Sequence, residues 1–571
     1  MARCIAVGVN TPLAKIAPDG RLHGGDRWDQ SIIHGSKSEG KAMGKARRRE
    51  SSANLLGPSA VRLAMAIFWL VEFVCGGSDV SSQSFAKSVV TKPNIVLFLV
   101  DDMGWQDTSV PFWRERTSLN DQFQTPNMER LAASGMKFTQ AYAACVCSPS
   151  RISLMTGQNA ARHRVTNWTL RRDATNDATH PTLDFPAWNV NGMTTDPSVE
   201  RAVYATPLPQ LLHDFGYRTI HVGKAHFGAI GTPCEDPRAL GFDVNIAGHA
   251  AGGPGSYLGT QNFGGLPDPH SVWAVPGLGK YHGQDIFLSD ALTQEALREM
   301  DDAIDAEQPF FLYMSHYAVH VPFAKDRRFY QKYLDAGLDE TEAMYAAMVE
   351  GMDDSLGKIM DKLEERGARD RTILLFMSDN GGLSAHARGG TPHTHNAPLS
   401  SGKGSAYEGG IREPMIVAGP GIATASLCDD PLIIEDFYPT ILDLAGVPLA
   451  DRNTVQSIDG VSFVPLLRGE SMDRDRALYW HFPNHWGGTG PGIDASSTIR
   501  QGDWKLIYFH LDQRMELYRI PADIGETHNL AAEHPEIRDR LAKQLGEYLR
   551  SVHAQMPTYR DTGRQIPYPG E

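Results

Sequence analysis

The chain has little cysteine for its length. Six cysteines occur in 571 residues, and only Cys145 and Cys147 lie close together. Apart from that pair, no spacing typical of a metal site occurs, and the scattered cysteines suggest no disulfide framework. We therefore expect Cys145, Cys234 and Cys428 to be buried free thiols.

Long apolar runs are also absent. The unbroken apolar stretch from Leu63 to Val71 has nine residues, whereas a membrane-spanning helix takes about 20. Ser84-Phe85-Ala86 follows it as a small-x-small cleavage site, and a basic patch precedes it, formed by Lys41, Lys45, Arg47, Arg48 and Arg49. This pattern predicts a signal peptide, so residues 1–91 form a leader with a disordered linker. We expect export to the periplasm or the medium without a stable transmembrane anchor; a disordered tail beside a short buried helix is the alternative.

An excess of basic residues is missing too. The chain has 54 Lys and Arg against 68 Asp and Glu, a net charge of -14 at pH 7. An acidic surface argues against a nucleic acid partner. Any anionic substrate must therefore be captured by local cations and not by the field of the whole protein.

Apolar segments of strand length alternate with helical patterns through most of the chain. The predicted strands are 94–100, 137–141, 217–222, 310–315, 372–377 and 414–417, and the helices include 128–134, 208–215, 340–366 and 433–445. Such alternation predicts an α/β fold with a large, mostly parallel central sheet flanked by helices. In the helix at 340–366, we interpret the methionine stripe as core.

The pattern changes after about residue 455. Short strands are predicted at 497–500, 504–509 and 515–519, separated by turn residues. A helix then opens at Pro535 and carries one apolar face. We predict a leader region at 1–91, a main domain at 92–455, and a smaller C-terminal α+β domain with an antiparallel sheet at 456–571.

Polar residues follow two of the predicted buried strands. Asp101 and Asp102 come directly after one, and Asp379 and Asn380 come after another, 277 positions from Asp102. Sites in open α/β sheets lie beyond the carboxyl ends of the strands, so we expect these four residues to meet at one edge. Paired carboxylates there suit a hard divalent cation, although a carboxylate pair alone usually marks a helix cap or a solvated turn.

The strongest functional signal is the run from Cys147 to Gly157, which reads C-x-P-S-R-x-x-L-x-T-G. It resembles the signature of the type I sulfatases, within the alkaline phosphatase superfamily, in which a maturation enzyme oxidises the leading cysteine to formylglycine. With four further motifs in the family's order, the resemblance extends from Lys92 to about Val552. It implies an alkaline phosphatase-like catalytic domain at 92–455, and it implies that Cys145 remains a thiol.

The resemblance implies a metal centre and a nucleophile. One Ca²⁺ per subunit, with Mg²⁺ as the alternative, has the ligands Asp101, Asp102, Asp379, Asn380 and the converted Cys147. Hydrated formylglycine attacks sulfur, the alcohol leaves, and the second hydroxyl then expels inorganic sulfate from a covalent sulfo-enzyme intermediate.

The remaining catalytic roles also follow from the resemblance. Arg151 holds the formylglycine, and Asp379 takes the proton from the attacking hydroxyl. Lys224 and His226 lie in G-K-A-H-F-G at 223–228: the lysine binds a sulfate oxygen, and the histidine contacts the formylglycine hydroxyls and helps expel sulfate.

Two downstream motifs complete the implied machinery. His320, followed by Val321-Pro322, is the general acid for the leaving alcohol, and Lys403 holds sulfate opposite Lys224. We interpret His316 as a core residue. Ser400 departs from the usual family pattern, which leaves the outer contacts open.

The implied substrate is an O-sulfate monoester of a sulfated polysaccharide or glycosaminoglycan fragment. Aromatic, histidine and amide side chains in loop-like stretches are candidates for a sugar subsite: His163, Asn167, Trp168, Trp188, His249, His270, His481, His485 and Trp486. We favour the segment 481–488. Two alternatives stay open, a phosphonate or phosphodiester hydrolase of the same superfamily and an inactive glycan-binding homologue.

Overall fold

The computed structural model describes residues 92–571. The predicted leader, with Cys4 and Cys75, lies outside the described residues. Seventeen strands occur in the described range: β1 Asn94–Val100, β2 Met136–Tyr142, β3 Leu183–Asp184, β4 Met193–Thr194, β5 Val203–Tyr204, β6 Arg218–Gly223, β7 Val244–Ile246, β8 Phe310–Ser315, β9 Thr372–Ser378, β10 Arg412–Ala418, β11 Ser426–Cys428, β12 Leu432–Ile433, β13 Leu478–Phe482, β14 Ser496–Gln501, β15 Trp504–Phe509, β16 Met515–Arg519 and β17 Thr558–Tyr559.

The α-helices lie in eight of the sixteen connections between these strands. In chain order within 92–571 they are α1 Ser118–Gln122, α2 Pro126–Ser134, α3 Cys147–Thr156, α4 Ala160–His163, α5 Leu208–Asp214, α6 Leu288–Asp305, α7 Tyr330–Asp335, α8 Glu340–Glu365, α9 Glu408–Ile411, α10 Phe437–Ala445, α11 Val464–Leu467 and α12 Pro535–Ser551.

The central sheet is mostly parallel, as the alternating pattern predicted. Its strand order is β11-β2-β10-β9-β1-β8-β6-β7, and β12 also pairs with β2. Only β10 runs antiparallel to both neighbours, β2 and β9. Alternate residues of β1 enter two separate cores, Val96 and Phe98 on one face and Leu97 and Leu99 on the other. Because both faces are covered, the strands are continuously apolar.

Pairing within this sheet aligns the ends of four parallel strands. Val100 of β1 lies opposite Ser378 of β9, and Leu99 lies opposite Ser315 of β8. Ser315 in turn lies opposite Gly223 of β6. The residues that follow these strands therefore emerge side by side at one edge of the sheet, where the site is built.

The long helix α8 packs on the sheet through its methionine stripe. Met348, Met352 and Met360 are buried in the same core as Phe98. Their spacing places them on one helical face, so the interpretation of the stripe as core is confirmed. The predicted free thiols are also confirmed, because Cys145, Cys234 and Cys428 are buried and unpaired with one another.

The predicted C-terminal antiparallel sheet is present. It has the order β13-β14-β15-β16, and α12 packs its apolar face against it through Leu541 and Leu545. β13 was not predicted from the sequence, and His481, expected in a loop-like stretch, lies within it. The domain boundary at 455/456 stays a prediction.

Buried charges join this second sheet to the main domain. Lys505 of β15 lies 3.0 Å from Glu408 of α9 and 2.8 Å from Glu526. Trp480 of β13 donates its indole N–H to the carbonyl of Ala143, 2.8 Å away, close to the start of α3. The ion pair with Glu408 holds the second sheet to α9, since buried ion pairs are costly to break, and the Trp480 hydrogen bond places β13 next to the start of α3.

Within residues 92–571, no helix combines the length and the apolar character that crossing a bilayer demands.

Gly223 provides a test of the strand alignment. Its φ is +106°, and a Cβ there would lie 1.8 Å from the carbonyl oxygen of Ser315, so β6 and β8 would have to separate. Gly231 also has a positive φ, +78°, but nothing lies within 4 Å of its Cβ position. Gly231→Ala should cost about 1–2 kcal/mol for the left-handed backbone, and Gly223→Ala about 1–3 kcal/mol more for overpacking. Thermal unfolding midpoints of the two variants measure the difference; equal losses would contradict this account.

Candidate active site

Three buried carboxylates meet at the aligned strand ends. Asp101, Asp102 and Asp379 each place an oxygen within 4.8 Å of the others. The backbone N–H of Asp102 donates to Asp379 Oδ1 at 3.3 Å, and Asn380 Nδ2 donates to Asp102 Oδ1 at 2.8 Å. The expectation that these four residues share one edge is confirmed. Asp102 has a φ of 62°, a strained conformation of the kind that clusters at functional sites.

Three buried cations compensate these carboxylates. Lys224 Nζ lies 2.7 Å from Asp101 Oδ2, and Lys403 Nζ lies 2.6 Å from Asp102 Oδ1. Arg151 Nε donates to Asp379 Oδ2 at 2.8 Å. Removing one member of such a set leaves an uncompensated buried charge, which is strongly unfavourable.

Burial and the nearby cations act in opposite directions on the pKa values of the two neighbouring carboxylates. Burial acts to raise the pKa of Asp102, but Lys403 and His320 outweigh it and hold that pKa well below its ordinary value. Burial raises the pKa of Asp101 above its ordinary value, although Lys224 opposes the change. Burial acts to lower the pKa of Lys403, but Asp102, Cys147 and Asp101 together outweigh it and raise that pKa.

Two oxygens of this cluster have no hydrogen-bond partner among residues 92–571. Asp101 Oδ1 and Asn380 Oδ1 are buried and accept no hydrogen bond. Buried polar atoms normally have a partner, so oxygens without one beside three carboxylates fit the ligand set of a cation. Carboxylate and amide oxygens are the ligands of Ca²⁺ and Mg²⁺, and the residues present therefore fit the implied ion.

Cys147 is the first residue of α3 and lines the cavity above the carboxylates. Burial raises the pKa of its thiol, the reverse of what an activated cysteine needs. Arg151 lies one helical turn further on, on the same side of α3. Its guanidinium donates to Ser315 Oγ at 2.6 Å, and this hydrogen bond connects α3 to the end of β8.

The two predicted catalytic histidines have different free nitrogens. His226 donates from Nε2 to the carbonyl of Thr169 at 2.7 Å, so Nδ1 stays buried without a partner. His320 donates from Nδ1 to the carbonyl of Val321 at 2.7 Å, and its Nε2 lies 3.8 Å from Asp102 Oδ2. Burial, assisted by Lys403, lowers the pKa of His320 to about 3.

His316 is a core residue, as interpreted from the sequence. It is fully buried, and its Nε2 lies 2.9 Å from Ser355 Oγ. It does not line the cavity above the carboxylates.

The cavity above the carboxylates has a volume of about 380 Å³, the size of a small-ligand site. Asp102, Cys147, His226, His320 and Lys403 line it. Lys224 lies beneath this floor, fully buried against Asp101.

Only two of the predicted sugar-subsite candidates reach the cavity, Trp168 and Trp486. The other seven do not line it: His163, Asn167, Trp188, His249, His270, His481 and His485. His481 shows why the favoured segment is only partly correct. It lies in β13 with its ring between Ser497 Oγ, at 2.8 Å, and the carbonyl of Gln555, at 2.9 Å.

Two residues at the rim, Trp273 and His386, were not among the candidates predicted from the sequence. Trp273 lies in a long irregular segment between β7 and α6, and His386 lies in the loop after β9. Neither belongs to one of the five motifs. The only signal in the sequence was an aromatic side chain in a glycine-rich segment, which many surface residues share.

Comparisons with known proteins agree on one family. The Sulfatase family model matches residues 93–447, and the model of the C-terminal region of N-sulphoglucosamine sulphohydrolase matches 402–555. A sulfatase of Formosa agariphila is 30% identical over 86% of this chain and 94% of its own length. Human N-acetylgalactosamine-6-sulfatase is 33% identical over 83% of this chain and 88% of its own length.

Solved structures agree with these relatives. The crystal structure of Ps i-CgsB in complex with k-i-k-neocarrahexaose is similar to this chain with a TM-score of 0.62 and 25% identity. The alignment covers 84% of this chain and 95% of that one.

Calcium should stabilise the protein through the orphaned oxygens. A ligand at a hundred times its Kd adds about 2.7 kcal/mol to the free energy of unfolding, so excess Ca²⁺ should raise the thermal midpoint and a chelator should reverse it. Asp101→Asn should abolish the shift. Asp353→Asn, a matched change at a buried aspartate of α8, should keep it. Equal calcium shifts in both variants would show that the ion binds elsewhere.

Proposed function

This chain belongs to the sulfatase family of sulfuric ester hydrolases, and we propose that it hydrolyses O-sulfate monoesters of a carbohydrate and releases inorganic sulfate. The observation that carries the proposal is the cavity floor. There, Cys147 opens a helix beside three carboxylates that are neutralised by two lysines and an arginine. The predicted leader supports export of the mature protein.

Conversion of Cys147 to formylglycine by a maturation enzyme supplies a geminal diol, of which one hydroxyl attacks sulfur and the other later expels sulfate. A Ca²⁺ ion, or Mg²⁺, would be held by Asp101, Asp102, Asp379 and Asn380 together with Cys147 in its converted form, and it would neutralise charge on the sulfate.

The lysines neutralise the sulfate group. Lys403 lines the cavity and contacts the sulfate, whereas Lys224 lies fully buried against Asp101 and contributes its charge from beneath the floor. Fixed cations in a buried site stabilise negative charge without reorganisation, which favours the transition state over the ground state.

Asp379 and Arg151 orient and deprotonate the nucleophile. One oxygen of Asp379 is held by Arg151, while the other accepts from the backbone of Asp102. The carboxylate is therefore fixed in place to accept a proton from a hydroxyl at position 147. His226 Nδ1, buried and free of partners, accepts from the second hydroxyl and promotes the release of sulfate.

His320 acts as the general acid for the leaving alcohol. Its Nδ1–H donates to a carbonyl, so Nε2 is the nitrogen that can face a leaving oxygen. In the neutral ring, Nε2 carries a lone pair and no proton. The ring must therefore be in its imidazolium form to donate a proton to the leaving oxygen. An anionic ester bound beside it favours that charged form.

The relatives support a carbohydrate substrate. The human relative is named for N-acetylgalactosamine-6-sulfate chemistry, and the similar crystal structure holds a neocarrahexaose. We propose a sulfated polysaccharide or a glycosaminoglycan fragment as the source of the ester.

Replacement of Cys147 tests the nucleophile. Cys147→Ala should lose all sulfate release, measured by ion chromatography, because no hydroxyl remains to attack. Cys145→Ala should keep it, since Cys145 lines a separate small cavity. Mass spectrometry of the Cys147 peptide from an expression host with the maturation enzyme should show formylglycine. Full activity with an unmodified Cys147 would contradict the proposed mechanism.

Substrate preference tests the reaction class. Two lysines and one cation site favour a sulfate monoester, so nitrophenyl sulfate should have a higher kcat/KM than nitrophenyl phosphate, bis-nitrophenyl phosphate or a phenylphosphonate ester. A phosphodiester or phosphonate preferred by orders of magnitude would assign the chain to the alternative hydrolase class. No turnover of any ester by protein with verified formylglycine would indicate an inactive homologue.

A further inference from the structure

The rim of the catalytic cavity is aromatic. Three tryptophans, Trp168, Trp273 and Trp486, line it together with His386. They come from three loops far apart in the sequence, and Trp273 is 37% exposed. Aromatic walls above a polar floor are typical of a site that orients one ring-shaped ligand.

Trp486 is held in a fixed position beside the catalytic floor. A Cβ on Gly404 would lie 2.4 Å from its Cε3, and a Cβ on Gly488 would lie 2.6 Å from its Cζ3. Gly404 directly follows Lys403, so the indole packs on the backbone next to the sulfate-binding lysine. The His386 ring lies 5.4 Å from the indole, tilted by 34°.

The loop that carries His386 is anchored by Arg388. Its guanidinium makes two hydrogen bonds to Glu342 of α8, at 2.7 and 2.8 Å, and it lies 3.5 Å from the ring centroid of Tyr345. The side chain is 1% exposed. Gly389 adds a backbone donor to the same carboxylate, at 3.0 Å. A bidentate pair of this kind fixes geometry as well as adding energy.

Positive charge is scarce at the rim. Among the described residues, Lys403 is the only lysine or arginine that lines the cavity, and Asp102 already pairs with it. Burial, assisted by Lys403, lowers the pKa of His386, so this ring adds no charge at neutral pH. A second anionic group on the bound sugar would lie among aromatic side chains without a counter-charge, and burying it would be costly.

We infer that Trp486 is the specificity-determining platform for the sugar ring that carries the scissile sulfate, and that this platform selects a neutral ring with no second anionic group. The apolar, C–H-bearing face of such a ring can stack on the indole, while the sulfate reaches Lys403. Arg388 is a positioning residue that acts through His386. The inference rests on the proposed function.

Binding to a catalytically inactive protein tests the platform independently of turnover. In a Cys147→Ala background, calorimetry should show a galactose monosulfate binding about tenfold more weakly after Trp486→Ala, and Trp486→Phe should recover most of the loss. The affinity for inorganic sulfate, which contacts only the floor, should not change. Trp113→Ala, at a half-buried tryptophan that does not line the cavity, is the matched control. Equal weakening for sugar sulfate and free sulfate, or no weakening, would overturn the platform.

Arg388 lies between two carboxylates, Glu342 and the fully buried Asp107, so its test variant must keep the positive charge. Arg388→Lys keeps the charge but loses the bidentate fork, and it should weaken the sugar sulfate but not inorganic sulfate, at an unchanged thermal midpoint. A purely structural role would lower the midpoint or weaken both ligands, and that result would remove Arg388 from the proposal.

Selectivity is tested by adding charge at the rim. The Cys147→Ala protein should bind a galactose monosulfate at least several-fold more tightly than a galactose disulfate. Trp273→Arg, at an exposed rim position, should reduce or reverse that preference. If the disulfate binds as tightly as the monosulfate before any rim change, the selectivity part of the inference is wrong. Failure of the active enzyme to release sulfate from any ester would instead reject the proposed function, since these binding results do not depend on turnover.

Discussion

The buried charges beyond β1 and β9 compensate one another, and the geometry of the site follows from that compensation. Asp101, Asp102 and Asp379 are too close together to ionise without help, and Lys224, Lys403 and Arg151 supply that help from three separate segments. Each ion pair crosses between elements, so the charges hold the site together only when the whole domain is folded. The same charges then serve an anionic ester, because cations that stabilise buried carboxylates also stabilise a bound sulfate.

The parallel sheet makes this arrangement possible. Strands β6, β8, β1 and β9 end at one edge; polar residues of the site directly follow β6, β1 and β9, and His320 lies in the loop after β8. Arg151 reaches the edge from α3, one turn after Cys147, and couples the nucleophile position to Asp379. The second sheet then packs against the start of α3 through Trp480 and delivers Trp486 to the rim. Trp486 thus comes from a different layer than the floor, whereas Trp168, Trp273 and His386 come from loops of the main domain.

Much of the site could be predicted because its residues are tied to local patterns. Asp101, Asp102 and Asp379 follow buried strands. Parallel strands place their carboxyl ends at one edge of the sheet, irrespective of the conformation of the connecting loops. Cys147 and Arg151 share one short helix, so their relation is set by helical spacing. The strands of the C-terminal sheet were predictable from turn residues, except β13, whose burial against β14 made His481 a structural residue and not a pocket residue.

The sequence by itself determined the chemical groups of the floor and the order of strands and helices, because both depend on neighbours along the chain. Only the tertiary structure decided which side chains form the rim. Trp273 and His386 reach the cavity through long loops, and the path of such a loop depends on distant contacts, as the pairing of Arg388 with Glu342 shows. It also decided that Lys224 lies buried beneath the floor while Lys403 faces the cavity, since burial follows from the packing of the whole domain and not from the motif.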